Sequence, residues 1–120
     1  MKNIPLIRFD ISHAQMIWKY AKKTYINGFA EFKEHLKKSN LRIMTPKLSF
    51  ILMASIAPGN KMFVYFVHID GSYKSKKAFY FAVLQCKDVF FCTENISLQS
   101  RHIDLGDGLY KRRELKKWAA

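Results

Sequence analysis

Cysteine, proline, glycine and acidic side chains are all scarce in this chain, and each scarcity removes a class of protein. The two cysteines, Cys86 and Cys92, are too few for a disulfide scaffold and lack the CxxC spacing of a zinc or redox motif. Both stand beside apolar stretches, where buried reduced thiols are expected, in keeping with a cytoplasmic compartment. Three prolines and five glycines in 120 residues leave no linker and no low-complexity segment, so a single domain over residues 1–120 is expected. The opening MKNIPLIRFD has no apolar run of signal-peptide length, and no stretch reaches the ~20 apolar residues of a membrane span. No membrane partner is expected, and no motif asks for a cofactor.

The acidic deficit is the strongest global signal. Nine Asp and Glu stand against 21 Lys and Arg, giving a formal net charge of +12 and a pI near 9.9. Self-repulsion on that scale disfavours the compact state, and an anionic partner relieves it. Nucleic acid is the first such partner, with RNA favoured over DNA, because each phosphate neutralised releases counterions. A small acidic protein is the other, and a homodimer is a further option for any apolar face left open.

What the chain has in plenty is apolar and aromatic material, 49% and 15% of residues, enough to build a core. Ile4 to Phe9 reads as a short strand with Pro5 at its edge. Ser12 and Gln15 form a capping box. Behind it Ala14, Ile17, Trp18, Ala21, Tyr25, Phe29, Phe32 and Leu36 recur at helical spacing, with a break expected near Asn27-Gly28 and an end at Ser39-Asn40. Arg42 to Met44 is an extended link. Leu48 to Ile56 and Lys61 to Ile69 read as strands joined at Pro58-Gly59-Asn60, and Asp70-Gly71 reads as the next hairpin signal. Ala78 to Cys86 alternates in the same way, and Lys87-Asp88 turns it into Val89 to Thr93. The expected fold is α+β: an N-terminal amphipathic helix packed on an antiparallel meander of about four strands, closed by a short basic C-terminal helix. The first helix should bury Trp18, Tyr25, Phe29 and Phe32 against Phe66, Phe79 and Phe81, leaving the other sheet face partly open.

Two basic clusters are candidate phosphate contacts: Lys74, Lys76 and Lys77 on the loop expected after Asp70, and Lys111, Arg112, Arg113, Lys116 and Lys117 in the terminal helix. Lys61 to His68, KMFVYFVH, resembles the base-stacking strand of RNA-recognition domains, although Met62 and Val64 stand where that motif needs small residues and the βαββαβ frame is missing.

Two enzymatic readings follow. Metal-independent RNA cleavage needs a general base for the 2′-hydroxyl and a cation for the developing phosphorane, for which His68, His102, Arg101 and Lys87 are the candidates. The outline of a helix on an antiparallel sheet with a basic tail resembles small RelE-like and barnase-like ribonucleases, which implies a toxin-type endoribonuclease. Asp70 followed by Gln85-Cys86-Lys87 resembles the acid…(E/Q)xK pattern of restriction-endonuclease-like nucleases, with Gln85 in place of the usual carboxylate. That resemblance implies Asp70 and Gln85 as ligands of a catalytic metal beside Lys87. His13 and His35, at helix ends, are expected to serve capping and dipole roles. The non-enzymatic alternative is an inhibitor, immunity or host-interaction factor that docks its basic face on an acidic protein.

Overall fold

The computed structural model describes residues 6–25, 27–91, 102–106 and 109–112, the last two segments and Leu84 through their backbone alone. The first strand, β1, is Ile7–Arg8, and Ile4 and Pro5 of the expected Ile4 to Phe9 span lie outside the described residues. A 3-10 turn, Ile11–His13, leads into α1, Ala14–Ala21. The cap is Asp10 rather than Ser12. Its carboxylate accepts from the Ser12 amide at 2.9 Å, and the Asp10 amide donates to His13 Nδ1 at 3.2 Å. A charged acceptor makes a stronger cap bond than the Ser12 hydroxyl, which itself donates to Asp10.

The expected break follows. Helix α1 buries Ala14, Ile17 and Ala21, and α2, Phe29–Lys38, buries Phe32 and Leu36. Between them Gly28 adopts a φ of 91°, open to glycine and costly for any other residue. The Trp18 ring ties the two helices, with centroids 5.2 Å from Phe29 and 5.5 Å from Phe32.

Strands β2, Leu41–Met44, β3, Phe50–Ala57, and β4, Lys61–Ile69, form an antiparallel meander with β1 on its edge. The hairpin turns where expected, with Gly59 and Asn60 left-handed at φ 86° and 58°. Alternation along β4 breaks at one residue. Met53 pairs with Phe66 and Ala54 with Val64, so Tyr65 is an extra residue bulged out of the ladder. The bulge shifts the phase of β4: Met62, Val64 and Val67 enter one core, while Phe66 enters the other with Tyr65 packed against it.

The larger correction follows Ile69. Ala78 to Cys86 is not a strand. It lies largely within α3, Tyr73–Leu84. In an apolar run this dense, period 2 and period 3.6 are satisfied at once. Local chemistry decides. The Asp70 carboxylate accepts from the Ser72 amide at 2.8 Å, and Ser72 Oγ accepts from the Ser75 amide at 3.2 Å, so Asp70-Gly71 opens a helix cap and not a hairpin. Ala78, Phe79, Ala82 and Val83 form the buried face, while Phe81, two residues from Phe79, stays 39% exposed.

Because α3 carries the chain back along the sheet, β5, Asp88–Phe91, runs parallel to β4, with Lys61 opposite Asp88 and Val64 opposite Phe91. Strands β6, His102–Gly106, and β7, Leu109–Arg112, complete the order β1-β2-β3-β4-β5-β7-β6. Lys111 and Arg112, expected in a basic helix, are therefore in a strand, where β7 covers the open edge of β5. The rest of that expected helix, residues 113–120, lies outside the described residues.

The architecture is α+β with a mostly antiparallel sheet and helices on both faces. Ile17, Ala21, Phe32 and Leu36 pack on Ile51, Met53 and Phe66. On the opposite face Phe79 and Val83 pack with Phe50, Leu52, Val64 and Phe91. Phe79 and Phe81 are thus not under the N-terminal helices, and the face expected to be open is the one α3 covers. No helix among the described residues is long and apolar enough to cross a membrane.

Candidate nucleic-acid interface

The structure brings Lys74, Lys76 and Lys77 together on the first two turns of α3, not on a loop. Lys74 and Lys76 are exposed and Lys77 is half-buried. Tyr73, Lys77 and Phe81 follow one another at i, i+4 and i+8, along one side of the helix. Tyr73 is 75% exposed, the highest value among the exposed large hydrophobic residues described. The Lys77 ammonium lies 5.5 Å from the Tyr73 ring centroid and 5.9 Å from that of Phe81, within cation–π range of both. The outer side of α3 is therefore an alternation of rings and cations.

The charge on this helix runs against its dipole. The first turn of α3 holds no acidic residue and the last turn no basic one. The partial positive charge at a helix N-terminus disfavours cations there, so the placement of these lysines costs local stability. The nearest described carboxylate along the chain, Asp70, is held below the usual carboxylate range chiefly by its hydrogen bonds from Ser72, and it is engaged in the cap.

The other candidates are dispersed. His68 is half-buried near the end of β4, its ring centroid 4.7 Å from that of Tyr20. Burial pushes its pKa down, with the Asp70 charge acting in the opposite sense. His102 lies on the edge strand β6, opposite Arg112. Three inter-strand steps and several residues of strand rise put the His68 and His102 backbones on the order of 20 Å apart. Arg101, Arg113, Lys116 and Lys117 lie outside the described residues. Lys111 stands opposite Phe90 in the sheet register. Asp70 and Gln85 flank α3 at opposite ends, and the 12 residues between those ends alone span about 18 Å. Lys87 is exposed at the far end from Asp70, its amide bonded to the Asn60 carbonyl at 2.8 Å. The two sides of the acid…(E/Q)xK resemblance are thus not brought together, and no group of three or more metal-ligating side chains occurs among the described residues. Cys86 is buried and Cys92 lies outside the described residues.

One cluster escaped the sequence reading. On the sheet face opposite α3, His35 Nδ1 lies 2.9 Å from the Tyr25 hydroxyl, and its ring packs 4.8 Å from Tyr65. Tyr25 Oη is also 3.4 Å from the Tyr65 carbonyl. Ser55 Oγ donates to the Lys38 carbonyl at 3.1 Å and lies 3.3 Å from the Tyr65 hydroxyl. Burial lowers the His35 pKa, so the ring is neutral near pH 7. The bulge sets Tyr65 beside His35, and a bulge leaves no mark in a two-residue period.

Comparison with family models, curated proteins and solved structures gives no match to this chain.

Proposed function

We propose that this protein binds nucleic acid, RNA in preference to DNA, through the basic and aromatic outer side of α3. The observation that supports this reading best is the inverted charge of that helix. Lys74 and Lys76 sit in the first turn, where the dipole disfavours them, with no acidic residue in that turn to offset them and Lys77 just behind. A polyanion turns that local cost into attraction, and the net charge of +12 extends the attraction over the molecule. Lys111, Arg112, Arg113, Lys116 and Lys117 are further phosphate contacts in this reading. The test is labelled RNA and DNA titrated with the full chain at two salt concentrations. The expected result is binding that weakens steeply with salt, by a slope of roughly 0.7 per phosphate neutralised for a single strand. Absence of binding, or binding indifferent to salt, removes the reading in favour of an acidic protein partner.

A second reading, a metal-independent endoribonuclease of the toxin type, is supported by His35 rather than by His68 or His102. In this reading Tyr25 gives its proton to Tyr65 O and accepts from His35 Nδ1–H, the tautomer in which Nε2 is the basic nitrogen. In cleavage the 2′-oxygen attacks phosphorus, its proton passes to Nε2, and the P–O5′ bond breaks as O5′ takes a proton from water, the hydroxide left behind removing the proton from Nε2. The products are a 2′,3′-cyclic phosphate and a 5′-hydroxyl. Cleavage should persist in EDTA, stop when the scissile ribose is replaced by deoxyribose, and be lost in His35→Gln while binding remains. A wild-type chain that binds RNA without cutting it removes this second reading alone.

A further inference from the structure

The outer side of α3 carries exposed rings as well as lysines. We infer that it is a stacking site for unpaired bases, and that its ligand is single-stranded RNA rather than a duplex. This rests on the nucleic-acid reading above and adds the form of the strand and the role of each side chain.

Electrostatic attraction alone needs lysines and no rings. Yet Tyr73 is 75% exposed and Phe81 39% exposed, on a helix whose other aromatics, Phe79 and Tyr80, are buried. The Tyr73 ring stands largely in water and contributes no core packing, and with the exposed part of Phe81 on the same side of the helix it makes a surface that a flat apolar partner covers. The eight residue steps from Tyr73 to Phe81 span about 12 Å of helix, so the rings are separate platforms with Lys77 between them. Lys77 rests within cation–π distance of both rings. A base that stacks on Tyr73 takes the place of that ammonium, which is then free to pair with the adjoining phosphate, while Lys74 and Lys76 take neighbouring phosphates. The bases of a duplex are stacked on one another and their faces are unavailable, so a duplex meets only the lysines. An acidic peptide likewise satisfies the lysines and leaves the rings without a stacking partner. Base stacking on exposed rings is sequence-tolerant, so little sequence preference is expected.

The test uses the full-length chain and three ligands of equal charge: an unstructured single-stranded RNA, the corresponding RNA duplex, and poly-glutamate. Single-stranded RNA should bind most tightly. Tyr73→Ala and Phe81→Ala should each weaken it by about tenfold, with the salt slope unchanged, and Tyr73→Trp should restore affinity. Lys74→Ala and Lys76→Ala should instead lower the salt slope by about 0.7 each. Thermal unfolding of each variant separates lost contacts from lost fold. Equal affinity for the duplex, or no loss in Tyr73→Ala, overturns the stacking site while leaving nucleic-acid binding in place. Preference for poly-glutamate, or no binding to any nucleic acid, overturns both.

Discussion

Helices α2 and α3 pack on opposite faces of the same sheet, both are rich in lysine, and their charge is arranged in opposite senses. Helix α2 begins with Glu31 in its first turn and ends with His35, Lys37 and Lys38 in its last. That order complements the dipole, so structure alone accounts for those lysines. Helix α3 has its lysines at the start and neither an acid there nor a base at its end. Lysine content therefore says little by itself, whereas lysine position relative to the helix ends separates charge that the dipole stabilises from charge that it does not.

Several substitutions break or sharpen this comparison. The largest effect should come from the buried side of α3. Phe79→Ala removes a fully buried ring and should cost about 3–5 kcal/mol, whereas Phe81→Ala, at a ring 39% exposed, should cost clearly less, as read by denaturant unfolding. The pair also tests the element itself, because in a strand both rings would share a face and cost alike. Next comes Gly28→Ala at the start of α2. No atom lies within 4 Å of the added methyl, so the expected loss of about 1–3 kcal/mol is conformational. Smaller, and opposite in sign on the two helices, are charge reversals. Lys74→Glu should raise stability by about 0.3–1 kcal/mol at low salt while weakening RNA binding, and Lys37→Glu should lower stability by a similar amount. Lys74→Glu that destabilises the fold would show that the inverted charge is no local cost.

The smallest expected effect is a pH dependence. Burial holds His35 and His68 below their usual pKa, so the unfolded chain takes up protons first as pH falls. The stability this contributes is whole above about pH 6.5 and declines as pH drops below it. Tm should be lower at pH 5.5 than at 7.5, and the drop should shrink when both residues are replaced by Gln. An undiminished drop would assign it to other groups.

The α2 side of the molecule was the more legible in sequence. Its apolar residues recur at a single period, and Gly28 announced the break at the point where the chain turns. The β3–β4 hairpin was equally plain, since Pro58-Gly59-Asn60 has no other use between two apolar runs. On the α3 side the signal is degenerate: Ala78 to Cys86 satisfies two periods at once, and the choice rests on the Asp70 and Ser72 cap, of which the sequence shows Asp70-Gly71, equally a hairpin signal. With that choice went the sheet order, because a helix in this place makes β5 parallel to β4. The metal-site resemblance then lost its geometry, since the intervening helix separates Asp70 from Gln85. His35 could not be found by spacing at all. Its partners are 10 and 30 residues away, and one of them is aimed by a bulge.

The Asn60 carbonyl accepts from the Lys87 amide at 2.8 Å and from the Asp88 amide at 3.4 Å. A single oxygen at the tip of the β3–β4 turn thus clasps the chain as it returns from α3. The two segments are far apart in sequence, and closing so large a loop is slow unless one side is already in place. The hairpin tip, with its left-handed Gly59 and Asn60, supplies that side from residues adjacent in the chain. The contact thereby sets where β5 starts along β4, with Asp88 opposite Lys61.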